Sequence, residues 1–172
     1  TTRIISIWDQ TLQDDKTPQG FNFGSEFSRE MINIALHSEE PTSVVPTFDD
    51  NGHGTAIASI IAGSRNEETS FSGVVPEAQL VVVKLKKAKQ NLRKIMCVPD
   101  DVLCYQETDL MLGIRYVLNV AKTLEKPLVI CIAISSAMTG HEAAGATSSY
   151  INHLGQMSQV NISVAAGNEG NS

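Results

Sequence analysis

Two short motifs carry side chains that could do chemistry. Asn51-Gly52-His53-Gly54-Thr55 opens an apolar run with helical character, and Ala165-Ala166-Gly167-Asn168 closes a strand-like run. Histidine is the most common general base near neutral pH, and flanking glycines expose its imidazole and let a substrate backbone approach. An asparagine amide at the end of a strand can donate a hydrogen bond to a developing oxyanion. The sequence therefore contains a histidine suited to accept a proton, His53, and an asparagine suited to bind an oxyanion, Asn168.

Each motif taken alone also has a simpler interpretation. A glycine-flanked histidine is often structural, and the pair Gly167-Asn168 favours a strand-ending turn. No serine in a nucleophile motif follows Asn168, because only Asn171-Ser172 remains at the end of the chain. We therefore expect parts of a catalytic site rather than a complete one.

The elements that must position these side chains alternate between strands and helices. Apolar runs predict buried strands, and longer runs with helical spacing predict helices. The strands are predicted at residues 3–8, 79–85, 128–134 and 161–166, and the helices at 26–37, 54–62, 107–124 and 148–157. This alternation predicts an α/β fold of three layers, with a mostly parallel sheet and helices on both of its faces. Ligands of such folds bind at the carboxyl ends of the strands.

Composition and charge limit the partners. The 172-residue chain has a net charge of −6 and predicts a single domain. Nucleic acid and anionic membranes select basic surfaces, so neither is expected as a partner. The lysine-rich segment between Lys84 and Asp101 is predicted to be a solvated surface insertion. The three cysteines, an odd number, suggest no disulfide framework, and Cys131 lies in an apolar run that predicts a buried thiol.

Other kinds of site fit the sequence poorly. The segment from Gly52 to Ile57 lacks the third glycine of a dinucleotide-binding fingerprint, and no phosphate-binding loop is present. His141-Glu142-Ala143-Ala144-Gly145 lacks the second histidine of a zinc protease helix. We therefore expect no cofactor and assign no metal ligands.

Together, the two motifs resemble those of the subtilisin-like serine proteases, the subtilases. In that family a catalytic histidine lies in His-Gly-Thr at the start of a helix, and an oxyanion asparagine lies in Ala-Ala-Gly-Asn. Residues 71–78, with Gly73-Val74-Val75-Pro76, are similar to the family's Gly-Val-Ala-Pro loop. The resemblance implies that His53 is the general base, that Asn168 is the oxyanion donor, and that residues 1–172 form part of a peptidase domain with a subtilisin-like fold.

Within the family, residues 2–11 (TRIISIWDQT) and 83–86 (VKLK) look most like the Csp-type clostridial proteases linked to spore germination. The likeness implies a protein or peptide substrate, the remaining parts of the same peptidase domain as partners, and association with the spore. A structural calcium ion would be compatible with the family, but we assign no residues to one.

The catalytic aspartate has two candidates. Asp9 ends the first predicted strand, where a carboxylate could orient a histidine. Subtilases usually follow this aspartate with Ser or Thr and then Gly, whereas Gln10 and Thr11 follow here. In the Csp-type pattern, the aspartate lies upstream, which would place it before Thr1. In that case Asp9 is structural, and Asp49 and Asp50 are interpreted as loop-forming residues.

The nucleophile and the activity of the whole protein also follow from the resemblance. Subtilases carry the serine in Gly-Thr-Ser well after the oxyanion asparagine; Gly145-Ala146-Thr147-Ser148 precedes it, and Ser148 is predicted to cap a helix. We expect a serine endopeptidase with an Asp/His/Ser mechanism, of which the 172-residue chain alone is inactive. Ser59 and Ser135 replace family glycines, so the alternative is an inactive relative that acts as a binding or regulatory protein in germination.

Overall fold

The computed structural model describes residues 1–135 and 145–167. The chain divides into two compact units, Thr1–Lys84 and Leu85–Ser172. Strands and helices are mixed throughout, and the chain belongs to the α/β class, as predicted. Its elements are β1 (Ile4–Asp9), β2 (Ser25–Ser28), α1 (Arg29–Leu36), α2 (Pro41–Val44), α3 (His53–Ala62), β3 (Leu80–Lys84), α4 (Gln90–Ile95), α5 (Glu107–Leu124), β4 (Leu128–Ile132), α6 (Ala146–Gly155) and β5 (Val160–Val164).

The first unit is built on a three-stranded sheet in the order β2-β1-β3. β1 runs parallel to β3 and antiparallel to β2. Residue Asp9 of β1 is aligned with Lys84 of β3, so the carboxyl ends of the two parallel strands lie side by side. The three helices α1, α2 and α3 all belong to the connection between β2 and β3.

Two apolar clusters bury the central strand β1 and explain its continuous apolar sequence. In one, Ile4 and Ile7 pack against a cluster formed by Phe27, Ile32, Ala35 and Val45. In the other, the fully buried Trp8 contacts the rings of Phe21 and Phe23, with centroids 4.6 and 5.4 Å away, in the loop between β1 and β2. The indole N–H of Trp8 donates to the Phe23 carbonyl at 3.3 Å, which satisfies its one polar group.

The predicted helix at residues 26–37 is wrong in its first turn. Residues Ser25–Ser28 form β2, and α1 begins at Arg29 with Ser28 as its N-cap, whose hydroxyl accepts a hydrogen bond from the Met31 N–H at 3.4 Å. Ser25 and Phe27 alternate inward along β2 and pair with β1. Phe27 fits both a helical and a two-residue period, so the sequence pattern alone did not separate the two structures.

Helix α3 forms where it was predicted, but its burial was predicted wrongly. An apolar sequence indicated a helix buried on most sides, whereas Ala62 is its one buried residue and Ile60 is 58% exposed. Its carboxyl end is well held: the Ile60 and Ile61 carbonyls accept hydrogen bonds from Val74 and Val75 at 3.0 and 2.8 Å. Hydrophobicity predicts that a surface favours burial but does not identify what covers it.

The second unit contains the parallel pair β4 and β5, against which α5 and α6 pack. Its core consists of Ile114, Ile130, Ile132 and Leu154. Side chains on the opposite face of β4 are open, with Val129 71% exposed and Cys131 exposed, so the predicted buried thiol is wrong. The strand alternates inward and outward, although its residues are apolar on both faces.

Two further details of this unit bear on the sequence predictions. Helix α6 begins at Ala146 with Gly145 as its N-cap, so Ser148 is inside the first turn and does not cap the helix as predicted. The insertion after Lys84 is largely exposed and is closed at its base by a bridge between Lys87 and Tyr105. Among residues 1–135 and 145–167, none of the helices is both long and apolar enough to cross a membrane.

The packing around Gly24 gives a test of the first unit. Gly24 has φ +78°, and a Cβ there would lie 2.2 Å from the Trp8 Nε1 atom and 2.9 Å from the Asp9 carbonyl oxygen. Gly24→Ala is expected to lower the free energy of unfolding by about 3 kcal/mol, from backbone strain plus the clash. Urea denaturation of the purified protein measures this loss.

Gly52→Ala is the matched control, because Gly52 has nearly the same φ, +77°, and no atom within 4 Å of a Cβ. It is expected to lose only about 1 kcal/mol from strain. Equal losses for the two variants would contradict the packing described around Trp8.

Candidate active site

His53 is the first residue of α3, and its side chain is exposed, as the motif predicted. Gly52, the N-cap residue, has the left-handed φ of +77° that glycine adopts without strain. The His53 backbone N–H donates to the Asn51 side-chain oxygen at 2.9 Å. This local structure fixes the backbone that carries the imidazole at the open end of a helix.

The start of α3 is capped by Asp49, three residues before the N-cap position. One carboxylate oxygen of Asp49 accepts hydrogen bonds from the N–H and hydroxyl of Thr55, both at 2.8 Å. The other accepts from the backbone N–H groups of Gly52 and Asn51, at 3.0 and 3.3 Å. These bonds, those from Thr55 above all, lower the pKa of Asp49 from 3.8 to about 2. Asp49 is therefore ionised at neutral pH and binds the otherwise unpaired donors of the helix start.

The carboxylate of Asp9 is fully buried at the end of β1. One of its oxygens accepts hydrogen bonds from the Thr11 N–H and hydroxyl, at 2.8 and 2.6 Å. The other accepts a short hydrogen bond from the Thr47 hydroxyl and lies 3.6 Å from the Lys84 ammonium nitrogen. Both oxygens are engaged, which is the usual condition for a buried carboxylate.

Lys84 links this carboxylate to the loop that precedes α3. Its ammonium nitrogen lies 3.6 Å from a carboxylate oxygen of Asp9, 3.6 Å from one of Asp50, and 5.0 Å from the centre of the Phe48 ring. We refer to Asp9, Thr47, Asp50 and Lys84 as the strand-end network. The network joins the carboxyl ends of β1 and β3 to the segment in which Asp49 caps α3.

The structure places the predicted site residues as follows. His53 lies at the open start of α3, and Asn168 lies outside the described residues, as does His141. Among the described residues, the side-chain partners of Asp9 are Thr11, Thr47 and Lys84, and His53 is not one of them. β5 ends at Val164, close to the predicted strand end, and the described residues after it extend to Gly167.

Two residues of the site region were missed in the sequence. Lys84 was assigned to the basic surface insertion, and Thr47 received no role. The signal available for Lys84 was its place at the end of an apolar strand, opposite the Asp9 that ends another. Within the part of the chain that the structure describes, no group of three or more His, Cys, Asp or Glu side chains could hold a metal ion.

In this chain an exposed histidine opens a helix on an α/β framework. Comparison with known proteins identifies the family that has this arrangement. The family model described as "Subtilase family" matches residues 26–172, so the chain belongs to the subtilase family. The predicted family resemblance is confirmed. No curated protein matches the chain.

A solved structure supports the fold in detail. The chain is similar to the CspB protease of Clostridium perfringens, with 30% identity and a TM-score of 0.80. The match covers 99% of this chain and 32% of the CspB chain, so the chain spans about a third of that protein's length. The predicted subtilisin-like α/β fold is therefore confirmed, as is the resemblance to the Csp type.

The lowered pKa of Asp49 predicts how the stability of the α3 start depends on pH. A carboxylate whose pKa falls on folding stabilises the folded state above its unfolded pKa of 3.8 and loses that contribution as the pH falls through about 2. Asp49→Asn is therefore expected to be less stable than the wild type at neutral pH, with the difference closing between these two values. Urea denaturation over this pH range measures the difference.

Asp15→Asn is the control, because Asp15 is an exposed carboxylate of the same unit and makes no hydrogen bond to any described residue. It is expected to match the wild type across the same pH range. A constant difference between wild type and Asp49→Asn down to pH 2 would contradict the capping role.

Proposed function

We propose that this chain is part of a serine endopeptidase of the subtilase family, in which His53 is the general base and Asn168 the oxyanion donor. The observation that carries the proposal is the position of His53, exposed at the start of α3 on a backbone held by Gly52 and Asp49, in a chain of this family. A general base must be accessible to substrate and fixed in place, and the start of α3 provides both conditions.

In the proposed mechanism, His53 accepts the proton of a serine hydroxyl as that oxygen attacks the peptide carbonyl. Asn168 donates a hydrogen bond to the oxyanion that forms, a contact that contributes about 3 kcal/mol of transition-state stabilisation in a related protease. The imidazolium then protonates the leaving amine, and the acyl-enzyme is hydrolysed by water with His53 again as base. The serine is a residue outside positions 1–172.

The aspartate that orients His53 is also proposed to lie outside these residues. Asp9 accepts hydrogen bonds from Thr11 and Thr47 and is paired with Lys84, so each of its oxygens has a partner other than an imidazole. A carboxylate that orients a catalytic histidine must direct one oxygen at the imidazole N–H. The contacts of Asp9 therefore support a structural role and an upstream catalytic aspartate.

Exposed apolar surfaces support the remainder of the peptidase domain as a partner. Ile60 of α3 is 58% exposed and Val129 of β4 is 71% exposed. Apolar residues on one helix and one strand face are stabilised when other parts of the domain cover them. We further propose a protein or peptide substrate, with no nucleic-acid or membrane partner, and a role in spore germination that rests on the Csp-type resemblance.

Labelling of the full-length protein with a fluorophosphonate probe tests the mechanism. The wild type is expected to be labelled at its serine, and His53→Ala to be labelled at least about a thousandfold more slowly, because loss of the general base in a related protease lowers kcat by about a millionfold. His37→Ala is the matched control: His37 is also exposed, at the end of α1, and its variant should be labelled at the wild-type rate.

The outcomes separate the two functions considered for this fold. Equal labelling of wild type and His53→Ala would exclude His53 as the base. A folded, mature wild type that is not labelled would reject proteolysis and favour the inactive regulatory relative, for which no contact among the described residues gives independent support.

The 172-residue chain alone provides a separate prediction. It contains no serine in a Gly-Thr-Ser motif after Asn168. Purified on its own, it is expected to hydrolyse no peptide substrate in a serine-dependent manner at any pH, because the nucleophile is missing. Turnover that a serine-directed inhibitor blocks would show that the nucleophile lies within these residues.

A further inference from the structure

The segment from Thr47 to Asp50 contacts the sheet and α3 with different side chains. Thr47 donates to Asp9, and Asp50 lies 3.6 Å from Lys84, so both contact the strand ends. Phe48 lies beneath the Lys84 ammonium group. Asp49, between them, caps the helix start through Gly52 and Thr55. The position of His53 is thus connected to the strand ends through four consecutive residues.

We propose that Lys84 is a positioning residue for His53, acting through the Thr47–Asp50 segment. The inference rests on the proposed function, since it assigns Lys84 a role in placing the general base. Lys84 extends from β3, whose parallel pairing with β1 fixes its backbone. Its side chain is 25% exposed, and it is paired with an Asp9 side chain that is 1% exposed. The sheet therefore fixes the position of the ammonium group, which can then restrain the loop it contacts.

The relative strength of the contacts identifies Lys84 rather than Asp50 as the residue to change. The side chain of Asp50 is 62% exposed, and an ion pair with so exposed a group contributes little by itself. Asp9 is fully buried, so loss of Lys84 removes the cation that balances its charge. Removal of Lys84 also ends its contacts with Asp50 and Phe48 in one step.

Different residues hold the two ends of α3. A positioning effect of Lys84 on the helix start can therefore be distinguished from a loss of overall stability. The carboxyl end is bound by Val74 and Val75 through the carbonyls of Ile60 and Ile61. The amino end is bound by Asp49, whose own position depends on its neighbours in the loop. Release of the loop should therefore loosen the helix start around His53 while the other end stays in place.

Hydrogen exchange in the full-length protein, measured by mass spectrometry, tests the proposal. In Lys84→Met, the amides of residues 51–55 are expected to exchange about tenfold faster, whereas those of Val74 and Val75 exchange at the wild-type rate. Fluorophosphonate labelling of the active serine is expected to slow about tenfold. Lys84→Arg keeps a cation that can pair with Asp9 and lie over the Phe48 ring, so it should restore both rates to within about twofold of the wild type.

Lys16→Met is the matched control, because Lys16 belongs to the same unit and makes the same kinds of contact. It lies 3.4 Å from Asp14 and 5.7 Å from the centre of the Phe27 ring, away from the loop before α3. This variant should leave both rates unchanged. Faster exchange at residues 51–55 in Lys16→Met as well would assign the effect to general destabilisation and overturn the proposal.

A second variant covers the case in which Lys84→Met does not fold. Thr47→Val keeps the shape of the side chain and removes the donor to Asp9, while Lys84 still neutralises that carboxylate. It should produce the same local acceleration. Whichever of the two variants folds, wild-type exchange at residues 51–55 would overturn the role of Lys84. If exchange is faster but the probe never labels the wild type, the proposed function is rejected and the loop contact is still supported.

Discussion

The buried ion pair between Asp9 and Lys84 is the interaction on which the site region depends. An unpaired carboxylate in this position would cost several kcal/mol, so β1 can end in Asp9 only where donors surround it. Two of its partners, Thr47 and Lys84, come from distant parts of the chain. The parallel pairing of β1 and β3 in this register is what brings Lys84 to it, and the pair in turn favours that register over a slipped one.

Two carboxylates, those of Asp9 and Asp49, make the contacts that hold the backbone around His53. Asp9 holds the preceding loop on the sheet through Thr47, and Asp49 holds the helix start through Thr55. Asp9 is buried and its charge is neutralised by Lys84, whereas Asp49 is exposed and its charge is stabilised by N–H and O–H donors. Neither of these two contacts is made by the imidazole of His53.

Features set by residues close in the sequence were predicted well, and features set by contacts between distant residues were not. Helix α5 was predicted to the residue, because eighteen residues of helical spacing determine it locally. The start of α1 was wrong because Phe27 fits two periods, and the role of Lys84 was missed because Asp9 lies 75 positions earlier in the chain. A short motif predicted His53 at an exposed helix start, and its role as general base stays a prediction; the contacts that position it depend on tertiary structure. Asn168 stays a prediction.

Helix α3 is apolar yet largely exposed, and both properties are explained if other parts of the peptidase domain cover it in the whole protein. A surface helix would present polar residues to water, yet residues 54–62 offer only Thr55 and Ser59 among small and aliphatic side chains. The Ser59 hydroxyl donates a hydrogen bond to the Thr55 carbonyl at 2.8 Å, so one of these two polar side chains is satisfied within the helix. The Thr55 hydroxyl donates to Asp49, so both polar side chains have protein partners and the helix is suited to burial along its length, while its first residue, His53, stays accessible at the end. This combination suits a general base, because packing around the helix restrains the backbone, whereas substrate must reach the imidazole.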